Sequence, residues 1–329
     1  MLGALFAVLS AASFALNNAT VRRGVVSGTP TQAMAVSVPL GVVCFLPLAF
    51  LTGELMRAGQ FPKAAVGWMA GLGVLHFVIG RYCNFRANAV AGVNLTAPVV
   101  QLQVVVTMVL AVIVLHEPCT ALQMIGGVLI IAGSLVTQRA PARTSVASAE
   151  AKKPDIPAFK PQYVAGYIFA TLAAIAYGTT PIMARFALEH TGPATGILGG
   201  LISYIAATAV AALALFSGQV RNNIFALSRD NARWFALSGV FVAAAQGFFF
   251  AAVSLAPVML VMPLLQLSLA FRMLFSTWLN PQHEVVGPLV LAGVVISVAG
   301  ALMVSIDTSL IVQTLAIPDA IARVLMWRV

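Results

Sequence analysis

The chain has 329 residues, of which 60% are hydrophobic and only 8% are charged, and its mean hydropathy is +0.98. Soluble domains carry about 25% charged residues, so this chain cannot cover a water-facing surface and is predicted to be a multi-pass membrane protein. The net charge of +9 does not indicate a nucleic-acid partner, because the basic residues lie mainly in gaps between apolar runs, and no gap is long enough for a binding domain. The expected partner is the lipid bilayer, with no nucleic acid.

Five apolar runs make up the first half of the chain. Each is long enough for a membrane-spanning helix, whereas the strands of a membrane barrel are about 10 residues of alternating hydrophobicity. The first run lacks a positively charged leader and is followed at once by the second, so we interpret it as a retained helix and not a signal peptide. The predicted spans are 2–21, 33–52, 64–84, 90–115 and 119–137.

The three cysteines, Cys44, Cys83 and Cys119, lie in or beside these runs. Their spacing is not that of a metal site, so we interpret them as small hydrophobic side chains in a helix bundle. The sequence predicts no metal site and no cofactor.

Residues 138–161 differ in character, since they are rich in Ala, Pro, Ser and charge and show no apolar period. This composition predicts a flexible linker. Beyond the last apolar run, the tail 306–329 is interrupted by Pro318 and ends in basic residues and a tryptophan, so an interfacial anchor and a disordered tail both stay open. The predicted spans that follow the linker are 162–184, 195–216, 234–254, 257–279 and 286–305.

The two halves, 1–137 and 162–305, repeat each other. The phrase HEPCTALQMIGGVLIIAGSLV begins at His116, and HEVVGPLVLAGVVISVAGALMV begins at His283. Because each half has an odd number of spans, the second copy must enter the membrane from the opposite side. We therefore predict an all-α fold of ten transmembrane helices in an inverted 5+5 repeat, an architecture typical of secondary transporters. Further aligned pairs are Gly3 with Gly166, Phe14 with Tyr177, Arg22 with Arg185, Ala91 with Ala256, Pro98 with Pro263 and Gln101 with Gln266.

This pattern resembles the drug/metabolite transporter superfamily, EamA type. The resemblance is carried by Leu115-His116-Glu117 and His283-Glu284, each followed by a glycine-containing helix, and by the stretches 91–98 and 256–263. His116 is a departure, since the family usually has Gly before the Glu. The resemblance implies export or exchange of small metabolites through a central cavity in the cell (inner) membrane, and a homodimer is left open.

The orientation in the membrane also stays open. The resemblance implies that both termini lie inside. The loops on the side of the termini, however, carry fewer Lys and Arg residues than the loops on the other side, and the positive-inside rule then places both termini outside.

The repeated phrase itself predicts architecture. Glu117 and Glu284 each precede the last helix of their half, where a carboxylate caps free N–H groups and meets the positive end of the helix dipole. Glycines seven residues apart, like those four residues apart in a GxxxG pair, share a helix face and let helices approach closely in lipid. The glycines concerned are Gly126 and Gly133, Gly293 and Gly300, and the GxxxG pairs Gly67–Gly71 and Gly196–Gly200.

Pro98 and Pro263 are predicted hinges. Each lies inside a span, where proline removes a hydrogen bond, and broken helices at matching positions of two repeats point to a transport site. Gln101 and Gln266 follow three residues later. A simple kink with the amide bonded to a neighbouring helix is an equal alternative.

Polar side chains inside the spans form the predicted binding set, because polar groups at membrane depth usually face the bundle interior. Arg272 is the deepest cation, and binding of an anionic substrate is favoured for it over snorkelling. Arg81 is also consistent with snorkelling at a helix end. All nine acidic residues lie outside the span centres, so a midplane carboxylate relay is missing. The predicted substrate-binding residues are Asn17, Asn18, His76, Arg81, Gln101, Tyr177, Thr180, Gln246, Gln266 and Arg272.

Three classes of function are considered for a membrane protein of this sequence. The leading one is a transporter that moves a small polar metabolite, anionic or zwitterionic and amino-acid-like, by alternating access. A membrane-embedded enzyme is disfavoured, because the His-Glu pairs at 116–117 and 283–284 lack the second His of a zinc motif and no nucleophile with its base is visible. A non-transporting scaffold or sensor would not need a buried Arg.

Overall fold

The computed structural model describes residues 2–25, 28–91, 96, 99–100, 102–138, 162–189, 195–268, 270–271, 274–275, 288–305, 318 and 326–327. The regular elements in these ranges are helices, and the predicted all-α class is confirmed.

The first half contains a π-helical segment, Val74–Gly80, that joins two α-helices of one continuous span. Thr29 starts the second helix as a capping box, in which its side chain and that of Gln32 each accept from the other's backbone N–H. The α-helices are α1 (Leu2–Val25), α2 (Pro30–Leu51), α3 (Lys63–Gly73), α4 (Arg81–Ala91), α5 (Gln103–Leu115) and α6 (Ala121–Gln138).

The second half repeats this order, with one short additional helix in the loop before its third span. Its α-helices are α7 (Tyr163–Leu188), α8 (Thr195–Leu213), α9 (Gly218–Phe225), α10 (Arg229–Leu255), α11 (Val258–Leu265) and α12 (Pro288–Ser305).

The helices fall where the spans were predicted. Shorter apolar helices lie within 90–115, 119–137 and 286–305, and α11 lies within 257–279. One boundary needs correction: the third helical span was predicted to end at residue 84 but continues to Ala91, because the helix runs on through Arg86 and Asn88, where the apolar run ends. Within the described ranges, six stretches are long and apolar enough to cross a membrane: Leu2–Thr20, Pro30–Leu51, Lys63–Ala87, Tyr163–Leu188, Thr195–Phe216 and Arg229–Leu255.

The packing of the helices shows the repeat. The first helix of each half packs against the third helical span of the other half, so α1 contacts α10, and α7 contacts α3 and α4. The second helices contact each other, as do the last helices, α6 and α12. Exchanging the halves therefore maps the two contacts of the first helices onto each other and maps the other two contacts onto themselves, as a pseudo-two-fold axis requires. With five spans in each half, that axis lies in the membrane plane.

Residues that align in sequence also exchange contacts in space. A Cβ placed on Gly3 would lie 2.6 Å from the Cβ of Ala256, and one placed on Gly166 would collide with the Cβ of Ala91. The two glycines align with each other, and so do the two alanines. The same close approach of a first helix to the end of a third helix thus occurs once in each direction.

The last helices of the halves meet through the glycines of the repeated phrase. We call the contact of α6 and α12 at Gly126, Gly133, Gly293 and Gly300 the glycine seam. A Cβ at Gly300 would lie 2.6 Å from the carbonyl oxygen of Gly126, and one at Gly133 would collide with Ser297 and with the Gly293 carbonyl. The two copies of the phrase are therefore each other's packing partners.

The GxxxG pairs behave differently from each other. Gly196 lies against the backbone of Phe250, where a Cβ would be 3.2 Å away, and so allows close packing. A packing role for Gly67 within the chain is wrong, because this residue is exposed and nothing lies within 4 Å of a Cβ placed there. The reason is that its side of α3 faces outward.

The cap predicted at the start of α6 also needs correction. Thr120 and Gln123 form the capping box of this helix, with bonds of 3.3 Å from the Gln123 N–H and 2.8 Å from the Thr120 N–H. Glu117 instead accepts from backbone N–H groups of α11, in the other half. Glu284 lies outside the described residues.

The predicted linker and tail lie almost wholly outside the described ranges. Of the tail, Pro318, Met326 and Trp327 are described. The carbonyl of Trp327 accepts a 3.0 Å hydrogen bond from the Ala121 N–H, which places this residue at the start of α6.

Candidate functional site

A cavity of about 440 Å³ lies between the two halves. Gln101, Arg272 and the hinge Pro98 lie outside the described residues. The other predicted binding residues all line this cavity: Asn17, Asn18, His76, Arg81, Tyr177, Thr180, Gln246 and Gln266.

Several polar residues of the cavity wall were missing from the predicted set. Asn84 and Gln103 lie in apolar runs, and Asn84 follows Arg81 by three residues, so helical spacing would have found it. Ser37 and Ser238 carry no comparable signal, because serine is common in apolar helices. Apolar side chains complete the wall, among them Phe14, Met34, Phe85, Phe249 and Met262.

His76 connects the two halves at the cavity. It lies in the π-helical segment, a helix form that is rare and occurs frequently at functional sites. Its Nδ1 lies 3.1 Å from Thr180 Oγ1 on α7, and its Nε2 lies 3.3 Å from Gln246 Nε2 on α10. One imidazole from the first half thus contacts two helices of the second half.

The hydroxyl of Thr180 decides the direction of these bonds. It donates its single hydrogen to the Tyr177 carbonyl at 3.0 Å, so it must accept from His76. We therefore assign the imidazole hydrogen to Nδ1, which leaves Nε2 as the acceptor for the amide of Gln246. Each donor in this chain of hydrogen bonds has an acceptor.

Tyr177 packs beside this histidine, with ring centroids 4.9 Å apart. The π-helical segment ends at Gly80, where a Cβ would lie only 2.8 Å from Tyr177 Cε1. The tyrosine ring therefore occupies space that a side chain at residue 80 would fill. A hydrogen bond from Asn84 holds the same side chain on the cavity wall.

Arg81 is a cation on the described part of the cavity wall. Its Nη1 donates to Ser37 Oγ at 3.1 Å, and its guanidinium lies 5.6 Å from the centre of the Phe77 ring. It makes no ion pair with any described residue, and no Asp or Glu is among the described residues that line the cavity. Since a guanidinium has five N–H donors, most of them have no acceptor among the described residues and can bind a ligand.

Cavity residues of α1 and α11 complete the site. Asn17 accepts a 2.6 Å hydrogen bond from Ser238 of α10. Pro263 is buried inside α11, which continues through the proline and ends at Leu265, so Gln266 lies in the turn that follows. The proposed hinge function of Pro263 stays a prediction.

Helices in two inverted halves around a polar cavity define a multi-pass membrane protein with the architecture of a secondary transporter. The family model of the EamA-like transporter family matches residues 1–139 and 164–306, one match in each half. The chain belongs to the EamA-like transporter family, and the predicted resemblance is confirmed. It is therefore an integral membrane protein of a family that transports small molecules.

Solved structures agree on the fold. The chain superposes on one protein of known crystal structure with a TM-score of 0.67 at 16% sequence identity, over 95% of this chain and 97% of that chain. At this identity the likeness shows the fold alone. Comparison with curated proteins finds no significant match.

Proposed function

We propose that the chain transports a small metabolite with an anionic group, including amino-acid-like zwitterions, through the central cavity. The observation that carries the proposal is Arg81, a cation at the cavity wall without an ion-pair partner in the described chain. A guanidinium in water-poor surroundings binds a carboxylate or phosphate through paired N–H donors. Arg272, which first suggested an anion, is not among the described residues, so Arg81 now supports the anionic class.

The rest of the cavity suits a small molecule with further polar groups. Its volume of about 440 Å³ falls in the range of small-ligand pockets, roughly 300–1,000 Å³. The amides of Asn17, Asn18, Gln103 and Gln246 offer acceptors as well as donors, which can hold an ammonium or hydroxyl group of the substrate. Apolar walls can take an aliphatic or aromatic part.

The expected mechanism is alternating access between the inverted halves. Because the cavity lies at the interface of the halves, a rocking motion of one half against the other can open it to either side in turn. Export or exchange across the cell (inner) membrane is the mode we propose. A homodimer stays a prediction.

Flux into proteoliposomes tests this function. A labelled panel would contain monocarboxylates, amino acids, organic phosphates, organic cations and neutral sugars. Wild-type protein should transport one or more anionic or zwitterionic compounds. Arg81→Gln should lower that flux by about 10- to 100-fold, because hydrogen bonds to charged groups contribute about 1.5–3 kcal/mol. Arg81→Lys should restore part of it.

The matched control is Arg86→Gln, which removes an exposed arginine of the same helix that does not line the cavity. This variant should transport like the wild type. Flux restricted to cations or neutral sugars, or an Arg81→Gln variant equal to wild type, would overturn the anionic class. No flux of any compound would favour a scaffold or sensor.

A further inference from the structure

The corner between α10 and α11 joins two helix ends directly. Ala256 and Pro257 are extended, and α11 begins at Val258. The first N–H groups of a helix have no partner within it and need an acceptor from elsewhere. Pro257 has no side-chain acceptor to offer, so the local sequence leaves the start of α11 without a side-chain cap.

Glu117 supplies the missing acceptors from the other half of the molecule. Its Oε1 accepts from the Val258 N–H at 2.9 Å, and its Oε2 accepts from the Met259 N–H at 2.8 Å. The next two N–H groups, of Leu260 and Val261, both bond to the Pro257 carbonyl at 3.1 Å. Each carboxylate oxygen thus accepts from one of the two N–H groups for which α11 has no acceptor of its own.

At the same corner, carbonyl groups at the C-terminal end of α10 accept hydrogen bonds from a cation. Arg185 of α7 donates to the carbonyls of Val253 at 2.7 Å and Ala256 at 3.3 Å, at the end of α10. Positive charge is favoured at a helix C-terminus and negative charge at an N-terminus. The difference is that Arg185 belongs to the same half as the corner, whereas Glu117 comes from the first half.

The backbone before Glu117 turns out of α5, and the Glu117 side chain can then contact α11. His116 ends α5 in the left-handed conformation, with φ 53°, and the Glu117 N–H then bonds back to the Ala111 carbonyl at 3.1 Å. Thr120 and Gln123 cap α6 without help. The carboxylate of Glu117 is therefore not needed to cap the helix that it precedes in the sequence.

From this geometry we propose that Glu117 is a positioning residue for the transport site. It fixes the start of α11 against the first half, and α11 in turn carries Met262, Leu265 and the following Gln266 to the cavity wall. The inference rests on the proposal that this cavity is the transport site. Loss of the carboxylate should shift the α11 wall and weaken substrate binding while the bundle stays folded.

Thiol labelling measures the position of α11 without any transport. Cys44, Cys83 and Cys119 are replaced by alanine, Met262→Cys is introduced, and the rate of its reaction with an anionic methanethiosulfonate reagent is followed by mass spectrometry. Glu117→Gln keeps the shape but turns an amide toward one of the two N–H groups. It should change the labelling rate by about tenfold or more, since one charge-assisted hydrogen bond contributes at least that factor.

The control variant is Thr120→Val, which removes the cap of α6 and leaves Glu117 in place. It should label like the parent. Circular dichroism and size-exclusion chromatography check that each variant is folded, and Glu117→Asp, which keeps both oxygens, should lie between Glu117→Gln and the parent. An unchanged labelling rate in folded Glu117→Gln, or an equal change in Thr120→Val, overturns the inference.

Transport separates this inference from the proposed function. For any compound that the panel shows to be transported, Glu117→Gln should raise KM at least severalfold more than it lowers the maximal rate. If no compound is transported but labelling responds to Glu117→Gln, the proposed function fails and the positioning role stands. If flux depends on Arg81 but the labelling rate is unchanged in Glu117→Gln, only the positioning role fails.

Discussion

Two contacts between the halves differ sharply, the glycine seam and the central cavity. At the seam, α6 and α12 approach so closely that a Cβ on Gly300 would lie 2.6 Å from the carbonyl oxygen of Gly126. At the cavity, long polar and aromatic side chains such as Arg81 and Tyr177 leave about 440 Å³ of space. The same pseudo-two-fold relation thus produces a closed contact and an open one, and side-chain size decides which.

The difference also concerns what each contact can do. In lipid, helix association depends on close packing, because the lipid tails are as apolar as the helices. The seam supplies this packing, and among its described side chains Ser297 Oγ donates a hydrogen bond to the Ile130 carbonyl at 3.3 Å. The cavity has hydrogen bonds between the halves that can break and re-form. We therefore expect the seam to stay closed while the cavity changes shape during transport.

Filling the seam should have the largest effect. Gly300→Leu places a side chain against backbone atoms of α6, which cannot move aside as a flexible side chain could. We expect a loss of stability of about 3 kcal/mol or more, seen as loss of folded protein in detergent. Gly67→Leu is the control, because that glycine has open space around it. Equal melting temperatures for the two variants would contradict the close packing of α6 and α12 at the glycine seam.

Removing the imidazole that connects the halves should affect transport more than stability. His76→Leu loses two hydrogen bonds between the halves, each contributing about 1 kcal/mol, so flux should fall about tenfold or more. The measurement is initial flux in proteoliposomes at matched protein content. Tyr204→Phe serves as the control, since that buried hydroxyl has no hydrogen-bond partner within the described chain. Similar flux in His76→Leu and Tyr204→Phe would show that His76 only packs.

Replacing the proline of α11 tests the hinge. Pro263→Ala restores the N–H that proline lacks and allows a hydrogen bond to the carbonyl one turn earlier. We expect flux to change severalfold while expression stays near that of the wild type. The same substitution at Pro98 tests the other half. Unchanged flux in both variants would show that the prolines are tolerated kinks.

The smallest effect is expected at the turn that leads into the seam. His116 has φ 53°, a conformation that costs a residue with a Cβ about 1 kcal/mol and costs glycine nothing. His116→Gly should therefore raise the melting temperature slightly in a thermal-shift assay. Gly53→Ala, at φ 72°, should lower it by a comparable amount. A fall in stability with His116→Gly would mean that the imidazole stabilises this turn through contacts of its own.

Much of the fold could be predicted because its signals are local. A membrane helix must satisfy its own backbone hydrogen bonds, so an apolar run of about 20 residues is enough to place it. The end of the third helical span was placed too early for the same reason, since Arg86 and Asn88 interrupt the apolar run although α4 continues to Ala91. The residues predicted for the site that line the cavity could be found because polar side chains at membrane depth usually face the bundle interior; their role in binding stays a prediction. Ser37 and Ser238 were missed, because a lone serine in an apolar helix gives no such signal.

By itself, the sequence determined the helical class, the positions of the spans and the inverted repeat, because hydrophobic run length and internal duplication are properties of the chain alone. Only the tertiary structure decided which partners the repeated residues have. Glu117 was expected to cap the helix that follows it and instead caps α11 at Val258 and Met259, because Thr120 already caps α6 and Pro257 leaves α11 without a side-chain cap. Likewise, only the packing showed that Arg81 lies on the cavity wall without a carboxylate beside it in the described chain. Contacts between distant segments depend on which helices pack together, and local sequence does not encode that choice.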